Sequence, residues 1–217
     1  DTVAVRVPSH PMMRAVMRGL GDLAGDRAIG IAAPSANRFG RVSPTTAAHV
    51  VGELAADLAD DDVVLDGGAS DVGIESTIVD CTGPAPVVLR PGQVSRADVE
   101  RVTGLTAGST SAVRAPGTLA AHYAPLARVL VVDAATALAT TSDDASIGLL
   151  ALANEATPHG IVRLSAPATT DDYARVLYAA LREADALGLA TVLAVPPPPD
   201  GVGAAVADRL ARAAAGA

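Results

Sequence analysis

Residues 161–215 read IVRLSAPATTDDYARVLYAALREADALGLATVLAVPPPPDGVGAAVADRLARAAA. The run from Ile161 to Leu164 and the run from Thr191 to Val195 are apolar and short, which predicts two buried strands. A helix starting at Asp171 or Asp172 lies between them, and Gly203 to Ala215 predicts a second, Ala-rich helix. Strands that alternate with helices favour a parallel sheet. The apolar face of the first helix is formed by Tyr173, Val176, Leu177, Ala180 and Leu181.

The same alternation begins upstream, where the apolar runs 129–132 and 147–152 predict two further strands. The preceding segment, 103–127, is dominated by Gly, Ser, Thr and Pro and has no hydrophobic periodicity. Long segments of this kind are typical of linkers or functional covers. We therefore predict a domain boundary inside 103–127.

The N-terminal part predicts a second, mixed α/β region. Helical patterns occur at 12–23, from Thr45 or Thr46 through Leu58, and from a Ser95 cap through Val99. The short apolar runs lie close enough together for some antiparallel pairing. Because the first run begins at the second residue, we expect the chain to have been cut from inside a larger domain. The predicted strands are 2–7, 28–33, 63–66, 76–80 and 87–90.

Composition limits the functions that the chain can have. Its 16 Lys and Arg residues and 24 Asp and Glu residues give a formal net charge of −8, which disfavours broad binding to a phosphate backbone. The single Cys81 excludes an internal disulfide and a cysteine-rich metal site. No apolar run is long enough to span a bilayer and no signal peptide is visible, so we expect a cytoplasmic protein.

The loop at residues 33–46, APSANRFGRVSPTT, is the strongest candidate site. It follows a predicted strand and leads into a predicted helix N-terminus, where free N–H groups favour an anion. Hydroxyl, amide and guanidinium groups are concentrated in it. Such a loop can hold nucleotide phosphates without a glycine-rich cradle, or it can be a capped surface turn, and composition alone favours the turn.

A second candidate is the stretch 67–80, GGASDVGIESTIVD. Glu75 and Ser76 lie where a strand is predicted to start, so their side chains can face a cleft, and the nearby glycines let a ligand approach the backbone closely. A plain hairpin loop is the alternative interpretation.

Arg6 and Arg90 lie in or at the end of apolar predicted strands. A buried arginine needs an anionic partner, because leaving it unpaired is costly. The partner can be a protein carboxylate, or a substrate carboxylate or phosphate bound bidentately. Tyr123, near the end of 103–127, either packs on its own protein or offers a face to an adenine or ribose.

Taken together, several stretches resemble the two-domain form of L-threonylcarbamoyladenylate synthase, in which a YrdC-like catalytic domain precedes a small α/β domain. The C-terminal run quoted above is also similar to the family's second domain. The matching stretches are TVAVRVPSHP (2–11), APSANRFGRVSPTTAAHV (33–50), VVLDGG (63–68), GIESTIVD (73–80), VLRPG (88–92) and PGTLAAHYAP (116–125).

The resemblance implies an α/β fold in three parts. Residues 1–102 are expected to form the C-terminal part of a YrdC-like mixed-sheet domain, 103–127 an interdomain linker or lid, and 128–217 a small Rossmann-like parallel α/β domain. The family's catalytic domain has further residues before this point, with a basic element and much of the threonine pocket. We therefore expect this fragment to be inactive by itself.

The resemblance also implies a reaction, in which L-threonine, bicarbonate and ATP form threonylcarbamoyl-AMP and pyrophosphate. Partner proteins then use the product in tRNA modification. Arg6 is expected to hold the threonine carboxylate, with Ala33 and Ser76 lining the amino-acid pocket. Mg²⁺ is expected with the triphosphate, although no protein ligand for it and no catalytic base can be named. The residues expected to contact ATP are Thr2, Ser35, Asn37, Ser43, Arg90 and Tyr123, the last as part of a lid.

Two alternatives stay open at this stage. A carbamoyltransferase that forms carbamoyl-AMP uses a related domain, but it is expected to carry zinc-finger-like cysteines, and this chain has a single Cys. A non-catalytic RNA-binding module is the other alternative, and the net charge of −8 argues against it.

Overall fold

The structure, a computed structural model, describes residues 2–25, 29–113, 115–117, 121–143 and 145–216. Within these ranges the strands form two sheets, a two-stranded sheet in the N-terminal part and a four-stranded sheet in the C-terminal part. The predicted fold class, a mixed α/β region followed by a parallel α/β region, is confirmed. None of the helices within these ranges is long and apolar enough to cross a membrane.

The C-terminal region, residues 128–216, contains a parallel sheet with the strand order β3-β6-β4-β5. Helices α5 and α6 pack on the sheet and on each other, so the predicted alternation of strands and helices is confirmed. The strands are β3 (Arg128–Val131), β4 (Ile147–Leu150), β5 (Val162–Ser165) and β6 (Thr191–Ala194). The helices are α4 (Ala134–Ala139), α5 (Thr170–Ala186) and α6 (Gly203–Ala215).

The main hydrophobic core lies between this sheet and the two long helices. The predicted inner face of α5 is confirmed, since Tyr173, Leu177 and Leu181 are at most 1% exposed. Leu210 of α6 is fully buried against the same core. With so few aromatic side chains, aliphatic residues and two tyrosines of α5 supply most of this packing.

The N-terminal region, residues 2–103, contains a small antiparallel sheet and three helices. Helix α2 begins after Thr46, whose hydroxyl accepts a hydrogen bond from the His49 N–H, and it ends at Leu54, four residues before the predicted end. Ser95 caps α3 through a capping box, as predicted. The elements are α1 (Pro11–Ala24), α2 (Ala47–Leu54), β1 (Ile78–Asp80), β2 (Val87–Arg90) and α3 (Arg96–Thr103).

Three of the predicted strands are wrong. Segments 2–7, 29–33 and 63–66 contain no strand, and Ala28, also in the second prediction, lies outside the described residues. Val3, Val5 and Val7 are more than 80% exposed rather than buried. A strand requires a neighbour that pairs with its backbone N–H and C=O groups, and no strand in the described ranges lies beside these segments.

Candidate functional site

Glu75 is the centre of a polar cluster at which the N-terminal region, the linker and the C-terminal region meet. Thr103, the first residue of the predicted linker, belongs to α3, so the linker is residues 104–127 from here on. Its carboxylate accepts hydrogen bonds from the Ser43 hydroxyl (2.6 Å), the Tyr178 hydroxyl (2.8 Å) and Arg209 Nε (2.9 Å). Burial alone would raise the pKa of Glu75, but Arg209 and the hydrogen bonds from Ser43 and Tyr178 hold it below its ordinary value. Glu75 is therefore an anion at neutral pH that accepts three hydrogen bonds from its neighbours.

Gly73 brings this carboxylate against the C-terminal region. Its φ of 80° lies in the left-handed range, and a Cβ atom at this position would lie 2.4 Å from the Ala174 carbonyl oxygen and from Arg175 Cα. Only glycine therefore allows the chain before Glu75 to lie directly on the backbone of α5.

Arg209 supplies the positive charge that compensates Glu75. Its side chain is fully buried, and besides Glu75 it contacts Asp208 and donates to the Pro91 carbonyl oxygen (2.8 Å). Burial would lower the pKa of Arg209, but Tyr178 and Glu75 raise it above its ordinary value. This guanidinium therefore stays charged and paired, as buried arginines require.

Arg90, at the end of β2, is also buried but is bonded differently. Its Nε and Nη2 donate to the Ser76 carbonyl oxygen (3.2 and 2.9 Å), and Nη1 donates to the Pro116 carbonyl oxygen of the linker (3.0 Å). No carboxylate of the described residues lies within ion-pair distance of it. Burial lowers the pKa of Arg90, although Tyr123 and Glu75 oppose this effect.

Tyr123 closes the cluster from the linker side. It is 1% exposed, its ring stacks on Tyr178 with centroids 5.5 Å apart, and Arg209 lies 5.3 Å from its ring centroid. Its φ of 64° is unusual for a residue with a large side chain and is maintained by this packing. Gly117 lies on the Tyr123 hydroxyl and Arg90, where a Cβ atom would clash.

The loop at 33–46 lies next to the cluster and is held by its own side chains. Asn37 Nδ2 donates to the carbonyl oxygens of Arg38 and Arg41, both at 3.0 Å. Asn37 Oδ1 is buried and accepts no hydrogen bond from the described residues. The linker contacts this loop through the Ala124 N–H, which donates to the Gly40 carbonyl oxygen (3.0 Å).

A cleft of about 660 Å³ lies between this loop and α2 on one side and α5 on the other. Arg182 of α5 forms an ion pair with Glu53 of α2 (2.5 Å) in its wall. His49, also in the wall, has its pKa lowered by burial and by Arg182. Its Nδ1 accepts a hydrogen bond from the Thr45 N–H (3.2 Å), which requires that nitrogen to be unprotonated.

Four of the predicted site residues are brought together around Glu75. Ser43 bonds to Glu75, Ser76 is its neighbour in the chain and bonds to Arg90, and Arg90 lies beside the Tyr123 hydroxyl. Asn37 lies in the same loop as Ser43.

The remaining predicted residues are not brought to this cluster. Thr2, Arg6, Ala33 and Ser35 are exposed, and the side chains of Thr2, Arg6 and Ser35 form no hydrogen bond or ion pair with the described part of the chain. They lie in segments that lack the predicted strands, so no sheet holds their side chains toward Glu75.

The C-terminal contribution to the cluster was not predicted. Tyr178 and Arg209 bond to a residue more than 100 positions earlier in the chain, which periodicity cannot indicate. The sequence contained one indication of this contact. Arg209 lies on the apolar face of a helix, and a buried arginine requires an anionic partner.

The described ranges contain no group of three or more His, Cys, Asp or Glu residues that could hold a metal ion.

Fold and cluster together define an α/β protein of two regions that meet on a half-buried carboxylate, Glu75. Residues 94–215 match the family model described as "Threonylcarbamoyl-AMP synthase, C-terminal domain", and residues 1–92 match the one described as "Telomere recombination". The chain belongs to the family of the threonylcarbamoyl-AMP synthase C-terminal domain.

Curated relatives match along the whole chain. It is 32% identical to the threonylcarbamoyl-AMP synthase of Bacillus subtilis (strain 168), over 100% of this chain and 64% of that protein. It is also 32% identical to the enzyme of that name from Pyrococcus abyssi (strain GE5 / Orsay), over 98% of this chain and 64% of that protein. The chain thus spans 64% of the length of these relatives.

Solved structures agree with these matches. The crystal structure of P. abyssi Sua5 complexed with L-threonine is similar with a TM-score of 0.75 and 32% identity, over 100% of this chain and 65% of that one. A variant of that protein, in which a histidine and the tyrosine after it are alanine, gives a TM-score of 0.76 at 31% identity, over 100% of this chain and 64% of that one.

Proposed function

We propose that this chain is part of an enzyme that forms L-threonylcarbamoyl-AMP and pyrophosphate from L-threonine, bicarbonate and ATP. Relatives named threonylcarbamoyl-AMP synthase match the whole chain, and the similar Sua5 structure is a complex with L-threonine. The product would serve tRNA modification in the cytoplasm, where partner proteins transfer the threonylcarbamoyl group. The carbamoyltransferase and RNA-binding alternatives have no comparison in their favour.

The bonding of Arg90 is the observation that carries this proposal at the level of geometry. Arg209 and Arg90 are both buried, yet Arg209 has carboxylate partners and Arg90 has only carbonyl oxygens within the described ranges. A buried guanidinium without an anion is costly unless a ligand supplies one. We propose that an ATP phosphate is this anion and is bound by Arg90 bidentately.

The linker controls access to Arg90 in this proposal. The Pro116 carbonyl oxygen takes one guanidinium N–H, and the Tyr123 ring covers the neighbouring space. For a phosphate to bind, Pro116 must move off the Arg90 Nη1 atom. The linker then acts as the predicted lid, with Tyr123 contacting the nucleotide.

Further contacts to both substrates are assigned by the family resemblance. Asn37 and Ser43 belong to the loop beside Arg90, and the buried Asn37 Oδ1 has an acceptor position to offer to a ligand. Ser76 would line the threonine pocket next to the nucleotide. Arg6 and Ala33 for threonine, and Thr2 and Ser35 for ATP, are assigned in the same way and are exposed here.

The reaction needs positioning and charge neutralisation more than a dedicated base. A carboxylate-like oxygen of the threonine-derived carbamate attacks the α-phosphorus, and pyrophosphate leaves with the bonding electron pair. Arg90 would neutralise phosphate charge, and Glu75 is a weak base because Arg209 and the hydrogen bonds from Ser43 and Tyr178 lower its pKa. Mg²⁺ would accompany the triphosphate, where it supplies further charge neutralisation, and the described residues add no ligand cluster for it.

Calorimetric titration of ATP into the chain tests the proposal. We expect Arg90→Met to weaken ATP binding by about 10-fold or more, because a charge-assisted hydrogen bond to phosphate is lost. Arg101→Met is the matched control, since Arg101 is exposed and pairs only with Asp98. Unchanged ATP affinity in folded Arg90→Met, checked by circular dichroism, would contradict the role of Arg90. Because the chain is expected to be inactive by itself, threonine- and bicarbonate-dependent pyrophosphate release is measured on the enzyme of which it is a part.

A further inference from the structure

Two arginines on different helices of the C-terminal region hold Ser43, Arg182 directly and Arg209 through Glu75. Arg182 of α5 donates to the carbonyl oxygens of Val42 and Ser43, the latter at 3.3 Å. Arg209 of α6 binds Glu75, whose other oxygen accepts the Ser43 hydroxyl at 2.6 Å. Both the backbone and the side chain of Ser43 are therefore held by the C-terminal region.

These contacts are shielded from solvent, unlike ordinary surface ion pairs. The side chains of Arg182 and Glu53 are 19% and 14% exposed, and those of Arg209 and Glu75 are 0% and 21% exposed. Exposed ion pairs contribute little fixed geometry, whereas buried pairs with additional hydrogen bonds hold one arrangement. The position of Ser43 is set by this arrangement.

In the hydrogen bond between Ser43 and Glu75, only Ser43 can be the donor. An ionised carboxylate only accepts, so the single hydroxyl proton of Ser43 must point at Glu75. The Ser43 oxygen can then offer only lone pairs to a ligand. ATP phosphates are also acceptors at neutral pH, so they cannot bond to this hydroxyl directly, whereas the ribose hydroxyls and the adenine amino group are donors.

We propose that Arg182, Glu75 and Arg209 form a clamp by which the C-terminal region fixes the Ser43 hydroxyl as a hydrogen-bond acceptor for the nucleoside part of the bound nucleotide. This inference rests on the proposed function and deepens it. Arg182, Glu75 and Arg209 are positioning residues, because they act on the nucleotide through Ser43. Through this clamp, the C-terminal region influences which part of the nucleotide is recognised.

Glu75→Gln tests whether the Ser43 hydroxyl must donate its proton to residue 75. Arg209 and Tyr178 both donate to one carboxylate oxygen of Glu75, so the glutamine carbonyl oxygen must take that position. The amide NH₂ group then faces Ser43, donates to it and releases the Ser43 proton toward the ligand. We expect ATP affinity to fall by about 3- to 10-fold, the equivalent of one neutral hydrogen bond, and Ser43→Ala to have a similar effect.

Two probes separate the nucleoside from the phosphates, namely ATP and inorganic tripolyphosphate, each titrated calorimetrically into the whole chain. The inference expects Ser43→Ala to weaken ATP binding while leaving tripolyphosphate affinity unchanged. Equal weakening of both ligands would show that Ser43 contacts phosphate and would overturn the inference. Titrating 2′-deoxy-ATP, 3′-deoxy-ATP and purine riboside triphosphate then identifies which nucleoside group donates to Ser43. Each analogue lacks one candidate donor, namely the 2′-hydroxyl, the 3′-hydroxyl or the adenine amino group. The analogue that lacks the true donor should bind Ser43→Ala and the unsubstituted chain with equal affinity.

Arg182→Met tests the clamp, with Arg175→Met as the matched control. Arg175 lies on the same helix and also reaches the N-terminal region, at the Asp71 carbonyl oxygen (3.0 Å), but it does not contact Ser43. We expect faster amide hydrogen exchange over residues 41–46 and about 3- to 10-fold weaker ATP binding in Arg182→Met only. If amide exchange becomes faster in Arg182→Met but ATP binding is not weaker, this inference is wrong while the proposed function still stands. If the unsubstituted chain binds neither ATP nor tripolyphosphate, both this inference and the proposed function are wrong.

Discussion

The C-terminal region buries its side chains, whereas the N-terminal region leaves many of its apolar side chains exposed. Leu177 and Leu149 in the former are fully buried, while Val5 and Val63 in the latter are 83% and 78% exposed. Every strand of the C-terminal sheet has a partner, and a helix packs on β3, β4 and β5, whereas the described residues of the N-terminal region contain one pair of short strands. The two regions therefore differ in whether their strands are paired more than in how hydrophobic their sequences are.

The largest expected effect tests this difference directly. Leu177→Ala removes a side chain from the centre of the C-terminal core and should lower the free energy of unfolding by about 4 kcal/mol, through lost burial and the remaining cavity. Val5→Ala should change it by less than about 0.5 kcal/mol, because Val5 is already in water.

Urea denaturation followed by tyrosine fluorescence measures both variants. All three tyrosines lie in the linker or in α5, so the signal reports the C-terminal region and its contact with the linker. Equal destabilisation by the two substitutions would break the comparison, because Val5 would then have to be buried.

The same difference explains how far the sequence could predict the fold. The periodicities at 161–164, 171–181 and 191–195 predicted β5, α5 and β6 well, because each of these elements finds a pairing strand or a packed helix within the C-terminal region. The pattern at 2–7 is equally apolar and alternating, but it predicted a strand that does not form here. A strand is decided by its partner, which a pattern in one segment does not contain.

The candidate site divides in a similar way. Ser43, Ser76, Arg90 and Tyr123 were predicted as site residues, and the structure brings them to one cluster. Glu75 was noted only as a side chain that can face a cleft. Arg182 and Arg209 could not be assigned, since their partners lie more than 100 positions away and no local spacing encodes such a contact.

The second prediction concerns the contact between the regions. Glu75→Gln removes the negative charge that compensates buried Arg209 and should cost about 2 kcal/mol in the free energy of unfolding. The pKa of Glu75 is lowered in the folded protein, so its stabilising contribution is present above the ordinary value of 4.5 and is lost as pH falls through the folded pKa.

Urea midpoints measured from neutral pH down to the acid range should therefore fall less steeply for Glu75→Gln than for the unsubstituted chain. Asp57→Asn is the control, since its ion pair with Arg38 is exposed on both sides. Parallel pH profiles for the unsubstituted chain and Glu75→Gln would contradict the role of Glu75 in joining the regions.

Helix caps give a third prediction, in which the two regions should not differ. The Ser95 hydroxyl accepts from the Asp98 N–H in α3 of the N-terminal region, and the Thr169 hydroxyl accepts from the Asp172 N–H in α5 of the C-terminal region. Ser95→Ala and Thr169→Ala should each cost about 1 kcal/mol, because a cap acts on its own helix. Thermal unfolding followed by circular dichroism measures both, and a much larger cost for Thr169→Ala would show that caps depend on the surrounding core.

The smallest expected effect concerns His49, at the boundary between the regions. Its unprotonated Nδ1 accepts the Thr45 N–H, and burial and the nearby Arg182 lower its pKa in the folded state. Because the unfolded chain binds a proton more readily, this contribution to stability is complete above the ordinary pKa of 6.5 and is lost as pH falls through the folded pKa. His49→Gln should flatten the profile of unfolding free energy against pH just below pH 6.5, relative to the unsubstituted chain. If His49→Gln keeps the same slope in this range, His49 does not have to stay neutral for the regions to hold together.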